Sequence, residues 1–231
     1  MISVWMATVA GIVGTSLGGG IAFLFGRRGE STAQMLTVFA GGVMLAIAFF
    51  DLIPEALTIG GLGMAAVGVL GGVLLIGLMS LLLDRVPGGG GLLLLIGIGL
   101  HNFPEGLAIG AGGAYDFRLG LVLAVLILLH DIPEGLAVAA PLLAQGMGKG
   151  RILGLMVLCG APTALGGLVG LAMGQAGQEL TALSLALAGG AMIYMTFCEV
   201  LPRALQGGRR SAAAVGVAGV LFGLITVQLL A

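Results

Sequence analysis

The chain alternates long apolar runs with short breaks, and this constrains it more than any other feature. The breaks are GRRGES (26–31), TIGGLG (58–63), LDRVPGGGG (83–91), GGAYDFR (112–118), QGMGKGR (145–151), GQAGQE (174–179) and QGGRRS (206–211). Between them lie runs at roughly 3–25, 33–57, 64–83, 92–112, 119–143, 152–173, 180–205 and 212–230. A helix needs about 20 apolar residues to cross a bilayer, so the pattern predicts eight transmembrane helices. Only 8% of the 231 residues are charged, against about 25% in a soluble domain. Strand-like alternation is absent, so the expected fold class is all-α, a polytopic membrane helix bundle. The 45 glycines suit helices that approach closely in lipid.

The net charge of −1 gives no reason to expect a nucleic-acid partner. Cys159 and Cys198 both sit in apolar runs and form neither a disulfide framework nor a CxxC knuckle. If the breaks alternate sides, Arg27, Arg28, Arg85, Lys149, Arg151, Arg203, Arg209 and Arg210 share one side and only Arg118 the other. The positive-inside rule then predicts both termini outside. The chain is expected to be a multi-pass protein of the cell inner (cytoplasmic) membrane.

An internal repeat organises the runs. AGGVMLAIAFFDLIPEAL (40–57) and AGGAMIYMTFCEVLPRAL (188–205) share eight of eighteen residues at an offset of 148. The same offset pairs AAVGVLG (65–71) with AAVGVAG (213–219), and Thr15, Leu17, Gly18 and Gly19 with Thr163, Leu165, Gly166 and Gly167. Five crossings separate the copies, an odd number, so the second copy enters from the opposite face. The expectation is a 3+2+3 inverted repeat in one transmembrane transporter domain, 1–231. Repeat 1 covers about 1–83, a central pair about 91–143, and repeat 2 about 149–231. Such repeats mark many secondary transporters, with the substrate site near the midplane.

The central pair carries HNFPEGLAIG (101–110) and, 29 residues on, HDIPEGLAVA (130–139). Residues i and i+4 share a helical face, so His101 stacks with Glu105 and His130 with Glu134. Asn102 and Asp131 lie about 100° round, on a neighbouring face. Pro104 and Pro133 free the carbonyls of Leu100 and Leu129. Each ionisable group costs roughly 2.5–3.5 kcal/mol or more at mid-membrane unless compensated. A divalent cation compensates several at once, and imidazole with carboxylate suits Zn²⁺, Fe²⁺ and Mn²⁺ better than Ca²⁺ or Mg²⁺. Read from outside to inside, Glu55, Asp51, the His/Glu cluster and Glu199 trace a cation path, with Cys198 an accessory ligand. Glycine-lined surfaces at GTSLGGG (14–20) and TALGGLVG (163–170) are expected to let the central pair slide against the repeats. A structural His–Glu network, a proton relay, a selective metal channel and an intramembrane metalloenzyme are the alternatives. The last lacks HExxH and the Glu-x-x-His of di-iron bundles.

HNFPEG followed by HDIPEG, in the fourth and fifth of eight helices, resembles the ZIP (Zrt-/Irt-like protein) divalent-metal transporters, the bacterial GufA-like branch in particular. The resemblance implies uptake of zinc, often iron, manganese or cadmium, into the cytoplasm by elevator-like alternating access. It implies no enzyme activity and no organic cofactor; the partners are the transported ion, the lipid bilayer and, in several members, a second copy in a homodimer. Carried over by position, His101, Glu105, His130 and Glu134 would hold the primary metal, beside Asp51. Asn102 and Asp131, with Glu105 and Glu134 bridging, would form a second site. Glu199 falls where members often have a His–Glu pair; Cys198 replaces the His. One departure matters: many members carry an acid before a proline in the sixth helix, and this chain has Ala161 before Pro162. The resemblance thus implies one tightly held metal and a second site weakened or lost.

Overall fold

The computed structural model describes the backbone of residues 1–25, 30–83, 90–202 and 210–230, all of it helix or short connection. The helices are α1 (Ile2–Phe25), α2 (Glu30–Ile47), α3 (Ile53–Leu83), α4 (Gly90–Tyr115), α5 (Phe117–Ala144), α6 (Lys149–Ala176), α7 (Gln178–Tyr194) and α8 (Arg210–Leu230). Two π-helical turns, Ala48–Leu52 and Met195–Val200, extend α2 and α7. Among the described residues, six stretches are long and apolar enough to cross a membrane. One of them, Val38–Leu82, is 45 residues long. At 1.5 Å per residue it measures about 68 Å, more than twice the hydrocarbon thickness.

That stretch breaks where the sequence puts TIGGLG. Gly61 takes φ 70° and ψ 177°, a left-handed-side conformation that glycine reaches without a Cβ penalty. Packing then gives the direction of each part. Gly41 of α2 lies against Thr196 and Val200, while Gly189 of α7 lies against Leu52 and Ile53, so these helices run antiparallel. Beyond Gly61, α3 runs parallel to α7: Gly72 meets Leu187 and Gly77 meets Tyr194. The chain therefore reverses at Gly61. Other expected breaks appear as Asp116 alone between α4 and α5, the turn at 145–148, and Gly177 at φ 150°. The expected breaks at 26–31, 83–91 and 206–211 fall largely outside the described residues, and with them Arg27, Arg28, Arg85, Arg203 and Arg209.

Parallel helices mesh glycine against carbonyl. A Cβ at Gly18 of α1 would collide with the Ile132 carbonyl of α5, and one at Gly135 with the Thr15 carbonyl. The same arrangement recurs between α4 and α6, where Gly166 meets the Phe103 carbonyl and Gly106 meets that of Thr163. These equivalences follow the offsets of 148 and 29 read from the sequence. In the other half of the molecule, Gly219 of α8 faces the Phe39 carbonyl and Gly72 of α3 faces that of Leu187. Here the sequence match misses by one residue. It pairs Gly219 with Gly71, but Gly71 faces open space and Gly72 makes the contact. Adjacent glycines hide a one-residue difference in the preceding connection.

The glycine faces expected to let α4 and α5 slide past the repeats are surfaces of close backbone contact. The glycines at 14, 18 and 19 and at 166, 167 and 170 lock α1 to α5 and α6, and α6 to α4 and α1. Without side chains, backbones interdigitate at a fixed register rather than gliding. Two groups result, α1–α4–α5–α6 and α2–α3–α7–α8, each internally glycine-meshed. Outward-facing Leu, Val and Ile coat the bundle, while His130, Asp131, Glu105 and Asn102 are fully buried.

Overpacking of a meshed helix pair costs about 1–3 kcal/mol. Gly166→Val is expected to lower the thermal midpoint of the detergent-purified chain in scanning fluorimetry by that equivalent, and Gly71→Ala to leave it unchanged or raised.

Candidate metal centre

Each of the two central helices brings its acids inward because its motif sits mid-helix, where an i, i+4 pair shares one face. The helices α4 and α5 run antiparallel, so the two motifs meet. Glu105 from α4 and His130, Asp131 and Glu134 from α5 place one ligand atom each within 4.8 Å of one another. His130 Nε2 lies 2.9 Å from Glu105 Oε1 and 3.4 Å from Asp131 Oδ1. On the other edge of the ring, Nδ1 lies 3.2 Å from the Leu126 carbonyl. A carbonyl only accepts, so Nδ1 carries the hydrogen and the Nε2 lone pair of the neutral ring faces two carboxylates. That face calls for a cation, either a proton on Nε2 or a metal ion. A ring fixed through Nδ1–H to a backbone carbonyl is also how metal-ligating histidines are oriented.

Neither carboxylate oxygen of Asp131 has a hydrogen-bond partner among the described residues. The ion pairs of His130 with Glu105 and with Asp131 lie inside the cluster. Three acids and one imidazole converge in an apolar interior, an arrangement suited to borderline divalent cations.

Asn102 is held differently from its counterpart Asp131. Its Nδ2 donates to the Cys159 carbonyl of α6 at 2.9 Å, and its buried Oδ1 has no partner among the described residues. This ties α4 to α6 beside the cluster and leaves one oxygen as a donor atom. Sequence reasoning missed Thr163, whose buried hydroxyl also has no partner among the described residues. Thr15, its repeat counterpart, donates to the carbonyls of Gly11 (2.7 Å) and Met156 (3.0 Å). The carbonyl one turn before Thr163 is that of Cys159, which Asn102 holds instead. The pairing of Thr15 with Thr163 was the available signal.

Asp51 and Glu55 are half-buried and do not join the four-residue cluster. Asp51 lies in the first π-turn, where the Ile53 N–H donates to the Ala48 carbonyl five residues back. The second π-turn repeats this bond between Leu201 and Thr196 and contains Cys198 and Glu199. The prolines at 54 and 202 explain both turns: each lacks an N–H, and its ring needs room in the preceding turn. π-turns are frequent at functional sites. Cys198 is exposed and Cys159 buried, and neither is in a disulfide. The side chains of His101 and Glu199 lie outside the described residues. The residue before Pro162 is Ala161, which brings no ligand atom to the cluster.

A family model described as "ZIP Zinc transporter" matches residues 88–231. The chain belongs to the ZIP zinc transporter family. The match spans α4 to α8 and so includes both central motifs. Among ZIP relatives, the zinc transporter ZupT of Corynebacterium efficiens is 33% identical over 89% of this chain and 88% of its own length. The zinc transporter ZTP29 of Arabidopsis thaliana is 31% identical over 97% and 91%. The zinc transporter GufA of Myxococcus xanthus is 38% identical over 54% and 50%.

Removing the Asn102 amide orphans one carbonyl contact between α4 and α6. Asn102→Ala is expected to destabilise the metal-free chain by about 1–2 kcal/mol, read as a lowered thermal midpoint, because a buried bond is lost.

Proposed function

We propose that this ZIP member carries divalent transition-metal cations, Zn²⁺ foremost and Fe²⁺, Mn²⁺ and Cd²⁺ within its range, into the cytoplasm by alternating access. It is a transporter and not an enzyme, and it needs no organic cofactor. The observation that carries this reading is the buried convergence of Glu105, His130, Asp131 and Glu134. The transported ion would be held there as substrate, with His101 completing the primary set beside Asp51. Asn102, Asp131, Glu105 and Glu134 would offer a second, weaker position, since Ala161 adds no ligand. Glu55 would draw the hydrated ion in from outside, and Glu199 with Cys198 would receive it toward the cytoplasm.

Eight crossings in a 3+2+3 inverted repeat within one domain, 1–231, are part of the proposal. Supporting it are the reversal at Gly61, the matched π-turns and the glycine contacts that recur at the repeat offsets. Both termini face outward from the inner membrane in this reading. Arg118 then lies at the outer end of α5, and Lys149 and Arg151 at the inner end of α6. Lys149 Nζ sits 5.2 Å from the centroid of Phe23, near the end of α1, in keeping with α1 ending on that inner side. The moving body is α1–α4–α5–α6, which carries the site, against α2–α3–α7–α8. A homodimer is the assembly the reading carries over from the family resemblance.

The test is zinc entry into proteoliposomes loaded with a zinc-sensitive dye. The wild-type chain is expected to show saturable uptake, and His130→Ala and Glu134→Ala to lose about tenfold or more. The exposed Glu179→Gln variant should match wild type. Zinc should also raise the thermal midpoint of the purified chain, by about 2.7 kcal/mol at a hundredfold excess over Kd, and less in both site variants. Single-channel currents would instead establish a pore, and undiminished uptake by the site variants would refute the assignment.

A further inference from the structure

A lateral groove of about 330 Å³ runs between α1 and α5 on the outer surface of the bundle. Small residues make it concave: Ala10 and Ala124, both buried, form its floor. Trp5 and Val9 of α1 and Leu121 and Val125 of α5 form its walls, and all four are exposed. The lining is wholly apolar. The two helices run parallel, so their N-terminal ends lie at the same face; Ser3 approaches Gly113 there. From Ile2 to Ala10 the groove descends about 12 Å, the depth of most of one leaflet.

A cation lies one turn before the groove on α5. Arg118, Leu121, Val125 and Leu128 follow spacings of three, four and three residues, which puts them on one face of α5. Arg118 is exposed and makes no ion pair or hydrogen bond among the described residues. The nearby Asp116 is committed to capping α5, its Oδ1 accepting the Leu119 N–H at 2.9 Å. An exposed guanidinium one turn before an apolar slot one leaflet deep matches the chemistry of a phospholipid. Guanidinium binds phosphate oxygens bidentately, and the slot takes an acyl chain.

We propose that this groove binds one anionic phospholipid, its phosphate on Arg118 and one acyl chain between α1 and α5. Only the choice of the outer leaflet rests on the orientation proposed above. The groove ends at Leu128, two residues before His130, so an occupied slot braces α1 against α5 directly beside the metal cluster.

Trp5 is the only tryptophan of the chain and lines the groove, so it reports occupancy directly. The full metal-free chain is reconstituted in phosphatidylcholine vesicles containing phosphatidylglycerol or phosphatidylcholine with brominated acyl chains. Quenching of Trp5 is then compared at equal mole fraction. The expected result is a preference for the anionic lipid of about fivefold, the ratio one basic residue supplies near a charged headgroup. Arg118→Gln should reduce that ratio to about one while quenching by brominated phosphatidylcholine persists. Ala124→Leu, which fills the floor, should weaken quenching by both lipids. Equal quenching by the two lipids in the wild type, or a preference that survives Arg118→Gln, would mean annular lipid only and overturn the proposal. The readout contains no metal, so a failed zinc-uptake assay and a failed lipid assay are separate results.

Discussion

Carboxylates and an imidazole placed in a hydrocarbon interior set the terms for the whole molecule. Each such group costs several kcal/mol if left alone. Within the cluster of Glu105, His130, Asp131 and Glu134, His130 pairs with Glu105 and with Asp131. Three acids against one imidazole form a donor set that suits a divalent cation from outside. The surrounding frame has to hold ligand atoms from two helices within a few ångströms while excluding bulk water. That requirement explains why so much of the sequence is spent on close helix contact rather than on bulky core packing.

Glycine meets that requirement by letting a carbonyl of one helix sit where a neighbour's side chain would be. The contacts of Gly18 with Ile132 and of Gly106 with Thr163 fix the axial register of α1 on α5 and α4 on α6. The registers place Asp131 beside Gly14 and Asn102 beside the Cys159 carbonyl. The same interlocking makes these helices a poor sliding surface. In the proposed alternating access, relative motion would fall where the two groups meet, at α2 with α5 and α4 with α7, because no glycine–carbonyl mesh ties those pairs among the described residues.

Much of this was legible in the sequence. The spacing of HNFPEG and HDIPEG named the central helices, and the site residues the structure describes in the cluster were all expected. The internal offset of 148 anticipated the contacts of Thr15, Gly18, Thr163 and Gly166. The π-turns were not read, although Pro54 and Pro202, three residues after Asp51 and Glu199, were their visible cause. A proline announces a lost hydrogen bond but not whether the helix kinks or widens to absorb it. The direction of glycine faces was also beyond reach, because a glycine marks close approach without naming which helix approaches. The pairing of AAVGVLG with AAVGVAG at offset 148 is one residue off the structural one because Gly71 and Gly72 are adjacent and hide the shift.

The repeated frame is nearly symmetric, but its chemistry is not. Where α1 has Gly14, α6 has Pro162, and where α5 has Asp131, α4 has Asn102. Asp131 can only accept when ionised, so it cannot reach a backbone carbonyl as the Asn102 amide does, and its oxygens stay turned to the cluster. The substitution thus assigns one equivalent position to holding α6 and the other to holding charge. An inverted repeat with identical chemistry in both halves would present the same ligands to either side of the membrane. Placing Asp131 on α5 where α4 has Asn102 gives the proposed site a sidedness that the backbone repeat lacks. In the proposed transport cycle, a cation held there would meet different surroundings on its two faces, so release would differ from entry even with the two repeats alike in backbone.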